Sequence, residues 1–239
     1  MREPEGVRTG PASQQGMRRA NLALVLGVIA RAPRSRAEVA AETGLTRAAV
    51  SSLAEELIAG GLVVEEGPAA PSGKVGRPGT ALGLNPRGPG GLGAEIGVEH
   101  LGACVVDLRG EVVAWRRQEI RNRGRSPAAV MADLAELLRR AVTDAGLRPA
   151  ALALAVPGLV ATSGGVLQRA ANLGWRDVPL AAELRLALRA AGSDDLAELA
   201  IDADNEANLG GLAELWLGGG PDHFLHVSAE AGVGSAIVI

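Results

Sequence analysis

The chain has 239 residues, 47% of them apolar, 21% charged and 2% aromatic, with 24 Lys+Arg against 27 Asp+Glu and a formal net charge of −3. That composition excludes disorder over the whole length, and so few aromatics exclude a single-strand nucleic-acid binder built on stacking platforms. Cys104 is the one cysteine, which excludes a disulfide framework and a multi-cysteine zinc site; no run is long and apolar enough to span a bilayer, so a cytoplasmic protein without a membrane partner is expected. Charge divides the chain. Residues 1–90 carry 11 basic against 8 acidic side chains, and residues 91–239 carry 13 against 19. A basic first part beside an acidic remainder fits an anion-binding module joined to something else.

Residues 1–20 combine Pro, Gly, Ser and Gln without an apolar period and read as a flexible tail. A first helix is predicted over 21–32, with Leu22, Val25, Leu26 and Ile29 on one face and Pro33 behind it. A second starts at Ser35, with Glu38 three residues on as in a capping box, and Gly44 supplies the left-handed position that ends it. Thr46 caps a third helix with Ala49, Val50, Leu53, Leu57 and Ile58 inward, stopped by Gly60-Gly61. Two short helices across a Gly turn make a helix-turn-helix, and the third helix is then the recognition helix.

Its outward residues are Thr46, Arg47, Ala48, Ser51 and Ser52. Arg pairs bidentately with guanine, Ser and Thr bond bases or phosphates, and Ala admits close approach or meets a thymine methyl. The competing reading is a plain three-helix bundle with a solvated Arg/Ser face; turn length, caps and the small polar outer face favour DNA. Strands are predicted over 62–66 and 80–84, flanking a Gly/Pro loop that holds Lys74 and Arg77. The unit over 21–88 is therefore a winged helix-turn-helix, and Gly76-Arg77-Pro78 at the wing tip suits a narrow minor groove.

After a Pro/Gly linker near 85–90 the pattern changes. Strands are expected over 93–98, 103–107 and 112–115, then an amphipathic helix over 126–145 and an apolar strand over 151–156 stopped by Pro157-Gly158. A helix over 180–190, a strand over 199–202, a helix over 206–217 and strands over 224–229 and 235–239 follow. This β-β-β-α-β-α-β-α order is a mixed α/β domain over 91–239.

Four segments resemble the ROK family of repressors and sugar kinases: Ala155-Val156-Pro157-Gly158-Leu159-Val160; Ala171-Asn172-Leu173-Gly174-Trp175; Asn205-Glu206-Ala207-Asn208 with the following Leu-Gly-Gly-Leu-Ala-Glu; and Val227-Ser228-Ala229-Glu230-Ala231-Gly232-Val233-Gly234. The Gly-Arg-Pro wing is similar to that of the family's repressors. The resemblance implies an actin-like sugar-kinase α/β fold, first lobe plus the start of the second, behind the winged helix. It implies sugar-hydroxyl ligands at Asn172, Asn205 and Glu206, for which an amide that both donates and accepts is suited. Turn or cap chemistry is the competing role for both asparagines, and complementing a helix dipole is that for Glu206.

The family's kinases open on an Asp-x-Gly-x-Thr phosphate loop, whereas here the stretch is Glu95-Ile96-Gly97-Val98-Glu99, with a carboxylate where phosphate should be received. The kinases' catalytic base is the Asp of an Asn-Asp pair, whereas here the pair is Asn205-Glu206, one methylene longer. Both departures argue against phosphoryl transfer, so no catalytic residue and no cofactor are assigned. Gly232 and Gly234 read as a tight hairpin turn, and Trp175 as core. The family's His/Cys zinc motif would lie just past Ile239, so no metal ligand is expected and the chain reads as C-terminally truncated.

The reading is a transcriptional regulator, a repressor of carbohydrate genes, binding double-stranded operator DNA as a homodimer with a sugar or sugar-phosphate effector. The alternatives are a sugar kinase with a DNA-binding appendage, and a truncated DNA-binding product that senses nothing.

Overall fold

The structure is a computed structural model that describes residues 14–68, 79–161, 165–229 and 231–239. The chain divides into two compact units, residues 1–88 and 89–239.

In the first unit, helix α1 (Gln14–Arg31) is followed by the two-residue strand β1 (Arg34–Ser35), α2 (Arg36–Thr43) and α3 (Arg47–Ala59), then by strands β2 (Val63–Pro68) and β3 (Thr80–Leu84). Helix α1 starts at Gln14, which corrects the reading of residues 14–20 as tail. Those seven residues have no apolar period; a tertiary contact holds them, Arg18 Nε donating to Glu56 Oε2 of α3 at 2.9 Å. Residues 1–13, the remainder of that tail, lie outside the described residues.

Helix α2 carries the capping box in full: Ser35 Oγ accepts from the Glu38 N–H, and the Glu38 carboxylate accepts from the Ser35 N–H at 2.8 Å. Gly44 ends it in the left-handed region at φ 72°, a conformation a Cβ makes costly. The three helices bury Val25, Val28, Ile29, Val39, Val50, Leu53 and Leu57 with Val63 and Leu82 of the sheet. Strands β2 and β3 form the antiparallel wing hairpin, and β1 adds to the free edge of β3, giving the order β1-β3-β2. Ser35 is both ladder residue and cap. Ser35→Ala is expected to lower the stability of the first unit by about 1 kcal/mol, because the Glu38 N–H loses its acceptor and the Glu38 carboxylate loses the hydroxyl that holds it in the box; urea unfolding followed by far-ultraviolet circular dichroism checks it.

The second unit centres on a five-stranded sheet. Its strands are β4 (Gly90–Ile96), β5 (His100–Val106), β6 (Val112–Glu119), β7 (Pro149–Val156) and, later in the chain, β11 (Ala200–Asn205). Strands β4, β5 and β6 are an antiparallel meander, β7 and β11 run parallel to β4, and the order is β11-β7-β4-β5-β6. Helix α4 (Pro127–Ala145) links β6 to β7. Ser126 caps it, Pro127 occupies its first turn, and Gly146 closes it at φ 62°. Its Val130, Met131, Leu134, Leu138 and Ala141 are fully buried against Leu92, Ile96, Leu101, Leu152 and Leu154 of the sheet.

Between β7 and helix α5 (Leu180–Ala190) the chain forms a small antiparallel sheet that the sequence reading lacked: β8 (Leu159–Val160), β9 (Val166–Ala170) and β10 (Trp175–Pro179). Trp175 is buried and its Nε1 donates to the Arg125 carbonyl at 2.8 Å. A short helix α6 (Asp194–Ala197) precedes β11. Helix α7 (Glu206–Leu217) then packs on the hairpin of β12 (Phe224–Ala229) and β13 (Val233–Val238). Cys104 lies in β5, where burial pushes its thiol above the ordinary value. No helix among the described residues is long and apolar enough to cross a membrane.

Candidate functional site

In the first unit, Thr46 begins α3. Its Oγ1 accepts from the Ala49 N–H at 3.2 Å, the bond expected of a helix cap. Arg47 and Ala48 in the first turn are exposed and Ser51 is half-buried. Ser52 is exposed but lies toward α1. With Ala49 it lines a hollow beside Gln14, Met17 and Arg18, and its hydroxyl accepts from Arg18 Nη2 at 3.5 Å. The structure thus groups Thr46, Arg47, Ala48 and Ser51 and sets Ser52 on the flank. Lys74 and Arg77 of the wing lie outside the described residues.

In the second unit, a cleft of ≈ 340 Å³ opens at the carboxyl ends of the parallel strands, where open α/β sheets present their loops to ligands. Val98 follows β4, Pro157 and Gly158 follow β7, and Asn205 and Glu206 sit where β11 passes into α7. The β9–β10 hairpin contributes Arg169, Ala171 and Asn172, and the β12–β13 loop contributes Ala231 and Gly232. The structure therefore brings Asn172, Asn205 and Glu206 to one cavity from two segments, the β9–β10 turn and the β11–α7 junction.

Asn205 is also a cap. Its Oδ1 accepts from the Ala207 N–H at 2.9 Å, and its Nδ2 donates to the Gly158 carbonyl at 2.8 Å. One lone pair and one N–H of the amide remain for a ligand. Glu206 opens α7, where the helix dipole favours its charge. Asn172 Nδ2 donates to the Ala231 carbonyl at 3.4 Å, tying the first hairpin to the second. Gly232 lies in the β12–β13 loop, whereas Gly234 stands in the ladder opposite Ser228, which corrects its reading as a turn residue. Packing explains both glycines. A Cβ on Gly232 would stand 3.2 Å from Asn172 Nδ2, and one on Gly234 would stand 3.0 Å from the Ala207 Cβ.

The turn that precedes β5 is held by a residue the sequence reading missed. Asn122 is fully buried; its Nδ2 donates to the carbonyls of Gly97 and His100, each at 2.9 Å, and its N–H donates to the Val98 carbonyl at 2.8 Å. Its Oδ1 accepts from Arg125 Nη1, and Arg125 in turn pairs with Asp133 at 2.6 Å. The His100 ring lies over Gly97, where a Cβ would come within 2.2 Å of it, and the His100 Nε2 is 3.4 Å from Glu95 Oε1. The turn is thus filled by an imidazole and clamped by an amide, and exposed Glu99 stands next to cleft-lining Val98 with Arg121 4.0 Å away. Among the described residues, no group of three or more His, Cys, Asp and Glu is placed to hold a metal ion.

A winged helix-turn-helix unit followed by a sugar-kinase-type α/β unit defines a class of two-part proteins. Residues 16–72 match the MarR family and residues 91–239 match the ROK family; the chain belongs to the ROK family. It is 33% identical over 212 residues to the putative xylose repressor of Caldicellulosiruptor sp. (strain Rt8B.4), covering 86% of this chain and 50% of the relative. It is 26% identical over 234 residues to the xylose repressor of Bacillus subtilis (strain 168), covering 95% and 57%. The chain spans about half the length of the curated relatives it matches. Among solved structures, a ROK family transcriptional regulator that is a homolog of the E. coli MLC protein shares the fold at TM-score 0.69 and 23% identity, over 93% of this chain and 55% of that one. A ROK hexokinase from Thermus thermophilus superposes at TM-score 0.51 with 25% identity, over 63% of this chain and 47% of the other.

Proposed function

We propose that the protein is a sequence-specific DNA-binding repressor of carbohydrate genes, acting in the cytoplasm as a homodimer on double-stranded operator DNA. A sugar or sugar phosphate in the cleft of the second unit would be its effector. The observation that carries the reading is the coexistence, in one chain, of an exposed first turn of α3 in a winged helix-turn-helix unit and a cleft lined by Asn172, Asn205 and Glu206 in a sugar-kinase-type unit, with exposed Glu99 following cleft-lining Val98. The relatives named as xylose repressors support it and make xylose the first effector to test. Arg47, Ala48 and Ser51 would meet base edges, with Thr46 and Ser52 reaching phosphates. Lys74 and Arg77 on the wing would enter the neighbouring groove. Asn172, Asn205 and Glu206 would hold sugar hydroxyls. A dimer would read half-sites one helical turn apart.

Phosphoryl transfer is disfavoured by the same geometry. Glu206 replaces a shorter base, and a carboxylate at Glu99 repels the incoming phosphates. Fluorescence anisotropy with a duplex from upstream of the protein's own gene tests the reading. The expected result is tight binding that weakens steeply between 50 and 200 mM salt, and an unrelated duplex bound at least about 1000-fold less tightly. Equal affinity for both duplexes would refute it.

A further inference from the structure

The β9–β10 hairpin sets two arginines against each other. Arg169 and Arg176 are register partners in the antiparallel ladder, so both side chains leave the same face with Cβ atoms about 5 Å apart. Like charges directly opposed on a sheet repel. Both residues are exposed, and neither side chain makes a hydrogen bond or ion pair among the described residues. Several other arginines of the unit have carboxylate partners. Arg116 pairs with Asp144, Arg117 with Glu119, Arg125 with Asp133, and Arg189 with Glu198. Carboxylates are in excess in this unit, yet the two opposed arginines have none. Arg169 also lines the cleft, as Asn172 does, and Arg176 stands across the ladder from it outside that lining.

We propose that Arg169 and Arg176 together hold a phosphate ester, and that the effector is therefore a phosphorylated sugar in preference to the neutral sugar. The inference rests on the effector reading above and narrows it. Each guanidinium offers five N–H donors in a planar fork that matches phosphate oxygens, and an anion between two such forks turns their repulsion into attraction. The cleft is polarised in the matching sense. Glu206, on α7, repels a phosphate and accepts from hydroxyls, whereas the hairpin side is cationic. The ester then lies toward β9 and the hydroxyls toward Asn205 and Glu206.

Titration calorimetry on the whole protein tests this with xylose, xylose 5-phosphate, glucose, glucose 6-phosphate and inorganic phosphate. One ester is expected to bind about 10- to 100-fold more tightly than its parent sugar, the range for charge-assisted bonds to one phosphate. Arg169→Gln and Arg176→Gln should each cut that ratio at least about fivefold. Arg148→Gln, an exposed arginine before the far end of β7, should leave it unchanged. Thermal melts of each variant report whether folding is intact. Equal affinity for ester and parent overturns the inference and leaves the sugar reading standing. Inorganic phosphate binding as tightly as the ester, with the same arginine dependence, overturns it in favour of a bare anion site. Binding of no sugar and no ester removes both readings.

Discussion

Arg47→Ala is expected to weaken binding to the specific duplex by about 10- to 100-fold, with a much smaller loss on unrelated DNA. Arg47 is the only basic residue on α3, stands in its first turn and is exposed, which is where a recognition helix meets base edges. A residue that reads a base carries discrimination, so its loss narrows the gap between specific and unrelated duplexes. A residue that touches only phosphate lowers both affinities together and reduces the salt slope by about one. Competition anisotropy with single-base variants of the duplex separates the two. The fold should be unaffected, because the Arg47 side chain is exposed on the first turn of α3.

Asn122→Ala is expected to destabilise the second unit by about 1–3 kcal/mol, because the Gly97 carbonyl loses the buried amide and the His100 carbonyl keeps only the Gly97 N–H. The N–H of residue 122 still reaches the Val98 carbonyl, so the chain path survives while the turn before β5 loosens. Val98 lines the cleft, so sugar binding should weaken along with stability. The experiment is clean because Trp115, Trp175 and Trp216 all lie in residues 89–239. Tryptophan fluorescence in urea therefore follows the second unit alone, and DNA binding by the first unit is expected to persist.

The sequence was most readable where local chemistry decides the structure. The Ser35–Glu38 box, the Gly44 turn and the Thr46 cap each name their own partners, and α5 and α7 fall where periodicity and flanking residues place them. It was silent where tertiary contacts decide. The first two turns of α1 depend on Glu56, thirty-eight residues away from Arg18. The β9–β10 hairpin carries two arginines and an aspartate with φ 53° in place of an alternating pattern. Asn122 sits in a run of arginines that reads as solvated surface, yet it is fully buried. The family resemblance located Asn172, Asn205 and Glu206, and the structure adds that Asn205 serves as a helix cap in the same cleft. The arginine pair has no sequence signature, since Arg169 and Arg176 meet only through the register of a hairpin.

If one chain couples a DNA-reading surface to a sugar cleft, effector concentration must move DNA affinity. The measurement is operator affinity by anisotropy at fixed salt, titrated with xylose and with xylose 5-phosphate. The expected result is a saturable change of about 5- to 150-fold, with a midpoint that matches the dissociation constant found by calorimetry, as linkage requires. An operator affinity that stays constant while the cleft fills with sugar would contradict it.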